Sequence, residues 1–218
     1  MARRSDHSRD ELFELTADAV TALVEAHGYP HLTMRKVAET IGYSVGTLYN
    51  LFDNLDDMIL TANGRTLDAL DTALANAGIT GAPEADLAAL LDRYLAFTAE
   101  RPGRWSMLYE HTMKDGDPIP DWYQAKVARV MGRLEAALAP LFAGANQDDI
   151  ANAIEKKRGA QVLWAGLHGI WSLAQTGKLG IVSTEPAAVL ARTLVETYVA
   201  GLKTRLDARR SAGVERQI

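Results

Sequence analysis

The feature that most constrains this 218-residue chain is Gly42, set between two short stretches that each carry a single apolar face. Ahead of it, Val37, Ala38 and Ile41 fall at i, i+1 and i+4 behind Thr33, whose hydroxyl suits a helix N-cap. Beyond it, Ser44 offers a second N-cap, and Leu48, Leu51 and Phe52 recur at i, i+3 and i+4. Glycine adopts the positive φ that ends a helix at little cost, so residues 32–52 predict two short helices packed apolar face to apolar face across a sharp turn. Val45, Gly46, Thr47, Tyr49 and Asn50 are then expected to point outward. Such a face suits a DNA major groove: small residues let a helix approach, while hydroxyl and amide groups reach phosphates and base edges. The spacing also fits an ordinary corner between two helices of an all-helical domain.

The rest of the chain reads as helices punctuated by Gly and Pro. A first helix over 9–27, with Leu12, Leu15, Ala19, Leu23 and Ala26 as its stripe, is expected to complete a three-helix core. Further helices are expected over 55–77, from Pro83 to the Arg101-Pro102-Gly103 break, and over 105–112, 122–142, 147–177 and 185–209. The fold class is therefore all-α, about nine helices, with a helix-turn-helix domain over 1–54 and a larger helical ligand-binding and dimerisation domain over 55–218.

Composition narrows the function classes. With 48% hydrophobic residues the chain can bury a real core, and with no cysteine it has neither disulfides nor thiolate chemistry. No stretch approaches the roughly 20 apolar residues of a membrane span, and residues 1–8 lead into a charged helix, so a cytoplasmic protein with no membrane partner is expected. The net charge is −5, and all of it falls in residues 1–63, which hold five cations and ten acids. A DNA reader of that charge needs its few cations at the interface, and Arg3, Arg4, Arg35 and Lys36 are the candidates.

Catalytic patterns are missing: there is no Gly-x-Ser-x-Gly, no His-Glu-x-x-His and no phosphate loop. His111, Asp115 and Asp117 straddle a helix end without metal-ligand spacing, and 155–158, Glu-Lys-Lys-Arg, reads as a solvated face. No catalytic residue, metal or cofactor is expected. Trp105, Tyr109, Met113, Trp122, Tyr123 and Met131, with Trp164, His168 and Trp171 at i, i+4 and i+7, are candidates to line a pocket for an apolar or aromatic effector, and each of them also suits plain core packing. The last two long helices are apolar over most of their circumference. Gly166, Leu167, Ile170, Leu190, Leu194 and Tyr198 are candidates for a four-helix interface with a second copy, against the alternative of a large monomeric core.

Taken together, Leu32-Thr33, Val37-Ala38, Ile41-Gly42, Gly46-Thr47-Leu48-Tyr49 and Phe52 resemble the tetracycline-repressor (TetR) family of transcriptional regulators in order and spacing. Residues 163–173 look like the tryptophan-histidine-glycine signature of one C-terminal subgroup of that family. The resemblance implies a homodimer on a palindromic double-stranded DNA operator, acting by default as a repressor and released by a small-molecule effector. It also implies that Thr33, Ser44, Val45, Thr47, Tyr49 and Asn50 contact DNA, with Tyr49 on a phosphate. One departure stands out: family members commonly carry a lysine after the turn into the fourth helix, where this chain reads Phe52-Asp53-Asn54-Leu55-Asp56-Asp57. Asn54 and the backbone amides of that helix start are the expected substitutes. The acidic N-terminal part keeps open a second class, a helical ligand-binding or enzymatic protein without DNA binding.

Overall fold

The structure is a computed structural model describing residues 7–113, 118–143 and 149–215. Among these residues there is no strand. Ten α-helices follow one another: α1 (Arg9–His27), α2 (Met34–Ile41), α3 (Val45–Tyr49), α4 (Leu55–Ala75), α5 (Pro83–Glu100), α6 (Pro102–Glu110), α7 (Asp121–Leu138), α8 (Asp149–Gln175), α9 (Leu179–Val182) and α10 (Ala187–Glu215). Short 3₁₀ turns lie at Tyr29–His31 and Ala139–Phe142. None of the described helices is long and apolar enough to cross a membrane.

Local chemistry sets the helix ends. At α1, the Ser8 hydroxyl accepts from the Glu11 amide at 3.3 Å while the Glu11 carboxylate accepts from the Ser8 amide at 2.7 Å, a reciprocal capping box. Those bonds from Ser8 hold the Glu11 carboxyl below the usual carboxylate range. Thr33 caps α2 by accepting from the Lys36 amide, and Gly42 closes it at φ 74°, ψ 25°, a left-handed position where a Cβ would be strained. Ser44 then caps α3.

Packing divides the chain into two compact units. The first unit holds residues up to Leu70 together with Phe97–Val127, and the second holds Asp71–Ala96 with Ala128–Ile218.

In the first unit, Val20, Val24, Val37, Ala38, Leu48, Phe52, Met58, Ile59 and Met107 form the buried core, with Phe13 stacked on Phe52 at 5.0 Å. Each large apolar side chain enclosed this way contributes about 1.5–3 kcal/mol. Met107 belongs to α6, which begins earlier than the sequence pattern suggests. Proline has no amide to lose at the first helical position, so Pro102 starts the helix rather than breaking it. The Glu25 carboxylate of α1 then accepts from the Gly103 and Arg104 amides at 3.1 and 3.0 Å. A Cβ on Gly103 would lie 2.6 Å from the Val24 carbonyl oxygen, so glycine is what lets the two backbones meet.

In the second unit, Asp86 clasps the loop before α5, accepting from the Thr80 amide (2.8 Å), the Thr80 hydroxyl (2.9 Å) and the Gly81 amide (2.8 Å). The Thr80 amide is the main reason its carboxyl sits below the usual range. Arg133 forks onto Asp71 at 2.8 and 3.2 Å, which lowers the Asp71 carboxyl as well. The helix α8 packs along α10. Glu155, expected on a solvated face, instead has a mostly buried carboxylate that takes Arg205 and Arg209 of α10, because the start of α8 lies against that helix.

Candidate nucleic-acid interface and ligand cavity

The two short helices α2 and α3 fuse on one side into the first unit's core and leave the other side open. Leu48 is fully buried, Tyr49 stands out at 56% exposure, and Gly46 and Asn50 beside it are exposed. A Cβ on Gly46 would meet only the Ser44 hydroxyl, at 3.7 Å, so the bare backbone there leaves room for a partner rather than for a neighbour in the chain. The Ser44 and Thr47 hydroxyls lie 2.9 Å apart, and Ser44 also accepts from the Thr47 amide, so both side chains are fixed before any ligand arrives. Val45 is a correction to the expected outward set. It is half-buried against the core, because it precedes Leu48 by three residues and shares its face.

The two candidate cations among the described residues are already engaged within the chain. Lys36 donates from Nζ to the His31 carbonyl at 3.0 Å, and Arg35 donates from Nε to Glu39 at 2.8 Å in a pair that is 82% and 61% exposed. Arg3 and Arg4 lie outside the described residues. At the start of α4, the Asn54 side chain accepts from the Asp57 amide (2.9 Å) and Asp57 accepts from the Asp53 amide (3.1 Å). Asn54 and two of the local amides, those of Asp53 and Asp57, are therefore spent on capping, not left open as substitutes for the missing lysine.

Two features of this unit escaped the sequence reading. A shallow basin lined by Leu23, His27, His31, Lys36, Glu39 and Thr40 lies beside α2. The His7 imidazole, just ahead of α1, meets the Tyr43 hydroxyl at 2.7 Å, with the rings 6.0 Å apart. Both join residues distant in sequence but neither carries a motif, so only the fold reveals them.

The nine candidate pocket residues do not gather in one unit. Trp105, Tyr109, Met113, Trp122 and Tyr123 lie in the first and Met131, Trp164, His168 and Trp171 in the second. Trp105 is wholly buried, edge-on to Phe97 and Tyr109. Trp122 is 42% exposed and covers Gly64, while burial pushes the Tyr123 phenol up to about 12. Near the end of α6, His111 contacts Asp56 of α4 at 3.0 Å with both side chains largely enclosed, and Tyr29 meets the imidazole edge-on. Asp115 and Asp117 lie outside the described residues, and no cluster of metal-ligating side chains occurs among the described ones.

In the second unit Leu74, Leu87, Leu90, Leu91, Tyr94, Leu134, Leu163, Trp164, Leu167 and Val195 enclose an apolar cavity of about 20 Å³. Trp164 is the one sequence candidate on its wall, edge-on to Tyr94 at 5.8 Å. His168 and Trp171 stack on each other at 5.6 Å, Met131 is half-buried, and burial lowers the His168 imidazole below its ordinary value, which keeps it neutral.

The candidate interface residues fall on two sides of their helices. Gly166 faces Leu194 of the same chain, where a Cβ would come within 2.6 Å of Leu194 Cδ2, and Leu167 is buried on the cavity wall. Tyr198 turns its hydroxyl onto Gly159. Ile170 and Leu190 are half-buried, and the large apolar side chains left exposed on α8 and α10, among the described residues, are Ile150, Ile154, Val162, Leu173 and Val189.

Comparison with known sequences follows this geometry. Residues 18–62 match the model for bacterial regulatory proteins of the tetR family, and residues 87–198 match the tetracyclin repressor-like C-terminal domain. An uncharacterized HTH-type transcriptional regulator of Mycobacterium tuberculosis, Rv0681, is 25% identical over 205 residues, covering 94% of this chain and 86% of that protein. The HTH-type transcriptional repressor KstR of Mycolicibacterium smegmatis is 26% identical over 166 residues, covering 63% of this chain and 80% of that protein. Among solved structures, a protein of unknown function from Rhodococcus sp. RHA1 superposes with a TM-score of 0.70 at 20% identity over 93% of this chain and 100% of that one. A TetR-family transcriptional regulator from Streptomyces coelicolor gives a TM-score of 0.60 at 22% identity, over 89% and 99%. These two similarities concern the fold.

Proposed function

Because the chain belongs to the tetR family of bacterial regulatory proteins, a family of transcriptional regulators rather than enzymes, we propose that it is a cytoplasmic, ligand-responsive repressor. In this reading it binds a palindromic operator as a homodimer through α3 and is released by a small apolar effector. The observation that carries the reading is the open side of α3: the exposed Tyr49, the bare Gly46 and the interlocked Ser44–Thr47 hydroxyls stand on a helix whose other side is sealed into the core. That division gives a rigid, small-featured face with hydrogen-bonding groups at a groove-sized helix. Relatives named as repressors support the sign of the regulation.

The apolar wall of the second unit's cavity supports an uncharged effector, since nothing on it would compensate a buried charge except the Tyr94 and Trp164 polar tips. Its small volume means that the leucines must yield as the effector enters. The exposed Val162 and Leu173 of α8 and Val189 of α10 support a second copy packing there, with Gly166, Leu167 and Leu194 serving their own chain from behind.

The test is a mobility-shift titration of Thr47→Ala and Tyr49→Ala against a duplex selected by the wild-type chain from a random-sequence pool. Both variants are expected to lose specific binding while keeping the wild-type helical circular dichroism. Wild-type affinity in both would sink the assignment of α3.

A further inference from the structure

Beside α2 the spacing of the sequence builds a basin to which α3 contributes no residue. Leu23 and His27 stand four residues apart on α1, and Lys36, Glu39 and Thr40 fall at i, i+3 and i+4 on α2, so each helix presents these side chains on one face. His31 closes the 3₁₀ turn that joins the two helices. Together the six residues line a volume of about 620 Å³, inside the range of small-molecule sites. Leu23 is the one apolar side chain in that lining, so the basin does not suit an apolar ligand.

Its polar groups suit an anion. Lys36 spends one of its three ammonium protons on the His31 carbonyl at 3.0 Å, which fixes Nζ at the basin wall and leaves two donors for a ligand. The His27 and His31 side chains are exposed, and an imidazole carries a ring N–H whether neutral or protonated. Glu39, the one acid in the lining, accepts from Arg35 Nε at 2.8 Å, so a guanidinium offsets its charge. Thr40 donates its hydroxyl to the Lys36 carbonyl at 2.8 Å. Lys36 and Arg35 against Glu39 leave a net positive charge here, within residues 1–63 that together carry the whole −5 of the chain. A metal cation is a poor match: His27, His31 and Glu39 do not gather into a ligand cluster among the described residues, and the Lys36 ammonium would repel it. A phosphate group, with several acceptor oxygens, matches donors that converge from α1, from the turn and from α2.

We propose that this basin is a phosphate site, in which Lys36 Nζ supplies the charge and the ring N–H groups of His27 and His31 are the flanking donors. The phosphate is carried by a nucleic-acid backbone or by a free phosphate ester. The backbone source rests on the proposed DNA-facing role of α3, since the helix ahead of a recognition helix runs across the backbone. The site itself stands without it.

Two titrations of the full chain test the proposal. In the first, inorganic phosphate is added at constant pH and ionic strength, with KCl as the matched control. The His27 and His31 ring signals are expected to shift to saturation in NMR spectra with phosphate and not with KCl. Lys36 is exposed, so its variants should keep the wild-type helical circular dichroism. Lys36→Gln should weaken phosphate binding about tenfold or more, the value of a hydrogen bond to a charged group, and Lys36→Arg should retain it. His27→Ala with His31→Ala should weaken it several-fold, read from broadening of the phosphorus signal; His31→Ala leaves in place the carbonyl that holds Lys36. In the second titration the duplex selected from the random pool is bound at 50 to 200 mM KCl. A backbone source makes the plot of log affinity against log salt shallower by about 0.9 per protomer in Lys36→Gln, whereas a free-ester source leaves that slope at its wild-type value. A phosphate response no larger than that to KCl, together with a wild-type slope in Lys36→Gln, would overturn the site. Saturable phosphate binding that Lys36→Gln leaves unchanged would place the ion elsewhere and overturn the basin. A wild-type chain that selects no duplex would overturn the DNA-facing reading of α3, while the phosphate titration still decides the basin.

Discussion

Leu163→Ala is the sharpest probe of the second unit. Leu163 is 1% exposed in α8 and forms part of the cavity wall. Truncation removes three carbons, about 2.4 kcal/mol of transfer free energy at about 0.8 kcal/mol per methylene-sized group. The void left behind adds to this, because the wall is drawn from α4, α5, α7, α8 and α10 and no single helix can slide in to close it. The total falls at about 3–4 kcal/mol, within the range for buried leucines and well short of the 5–15 kcal/mol that a domain holds in reserve. The melting temperature should drop by about 10 °C. The enlarged void is apolar and dry, so benzene should bind it and recover about 2.7 kcal/mol at a hundredfold excess over its dissociation constant. The wild-type cavity, at about 20 Å³, should respond much less. Urea unfolding followed at 222 nm, with and without benzene, reads both quantities. A loss below about 1 kcal/mol with no benzene-dependent gain would refute the picture of a rigid apolar wall at this position.

Three further outcomes are expected. Glu39→Ala releases Arg35 from its exposed pair and removes a carboxylate from the surface of α2, so affinity for the selected duplex should rise a few-fold in a fluorescence-anisotropy titration; unchanged or weaker binding would show that Arg35 does not reach DNA. Asp86 and Asp71 have carboxyls lowered by the Thr80 amide and by Arg133, so their stabilisation is complete above the unfolded value of about 3.9 and is lost as pH falls through the lower native values. Acid titration of the fold should therefore be steep below about pH 4, and flatter in an Asp86→Asn variant. Glu25→Gln leaves one acceptor where the carboxylate offered two to the Gly103 and Arg104 amides and removes the charge at the start of α6, costing about 1–2 kcal/mol by denaturant titration.

The elements governed by local chemistry were legible in the sequence. The span of α1 follows from Ser8, Glu11 and Gly28, and the turn from Gly42, because capping and positive φ are decided within a few residues. The misreadings share a cause, which is that a partner distant in sequence decides the outcome. Pro102 opens a helix because Glu25 of α1 supplies the acceptor for its free amides. Glu155 is drawn inward by arginines about 50 residues away in α10. For the candidate sites, the exposure of Gly46, Tyr49 and Asn50 was readable from helix spacing, whereas the cavity wall is mostly leucine and so indistinguishable in sequence from ordinary core. Aromatic and methionine content pointed to a pocket, and Trp105 is wholly buried, edge-on to Phe97 and Tyr109.

The inclusion of α6 in the first unit bears on how a displacement of that helix reaches the elements around α2 and α3. Both ends of this nine-residue helix are fastened to the elements that frame α2 and α3. Its first turn is held by Glu25, near the end of α1, with the Gly103 backbone in direct contact. Just past its last turn His111 binds Asp56, in the first turn of α4, and Tyr29 packs against that imidazole from the connection between α1 and α2. A backbone-to-backbone contact without side chains to rearrange has little give, and a largely enclosed carboxylate–imidazole contact cannot be stretched without leaving a buried polar group exposed to apolar surroundings. Displacement of α6 is therefore transmitted to α1 and to the start of α4 together, not absorbed at either joint. By the same reasoning, whatever fixes α1 and the start of α4 also restricts α6 through these two fastenings.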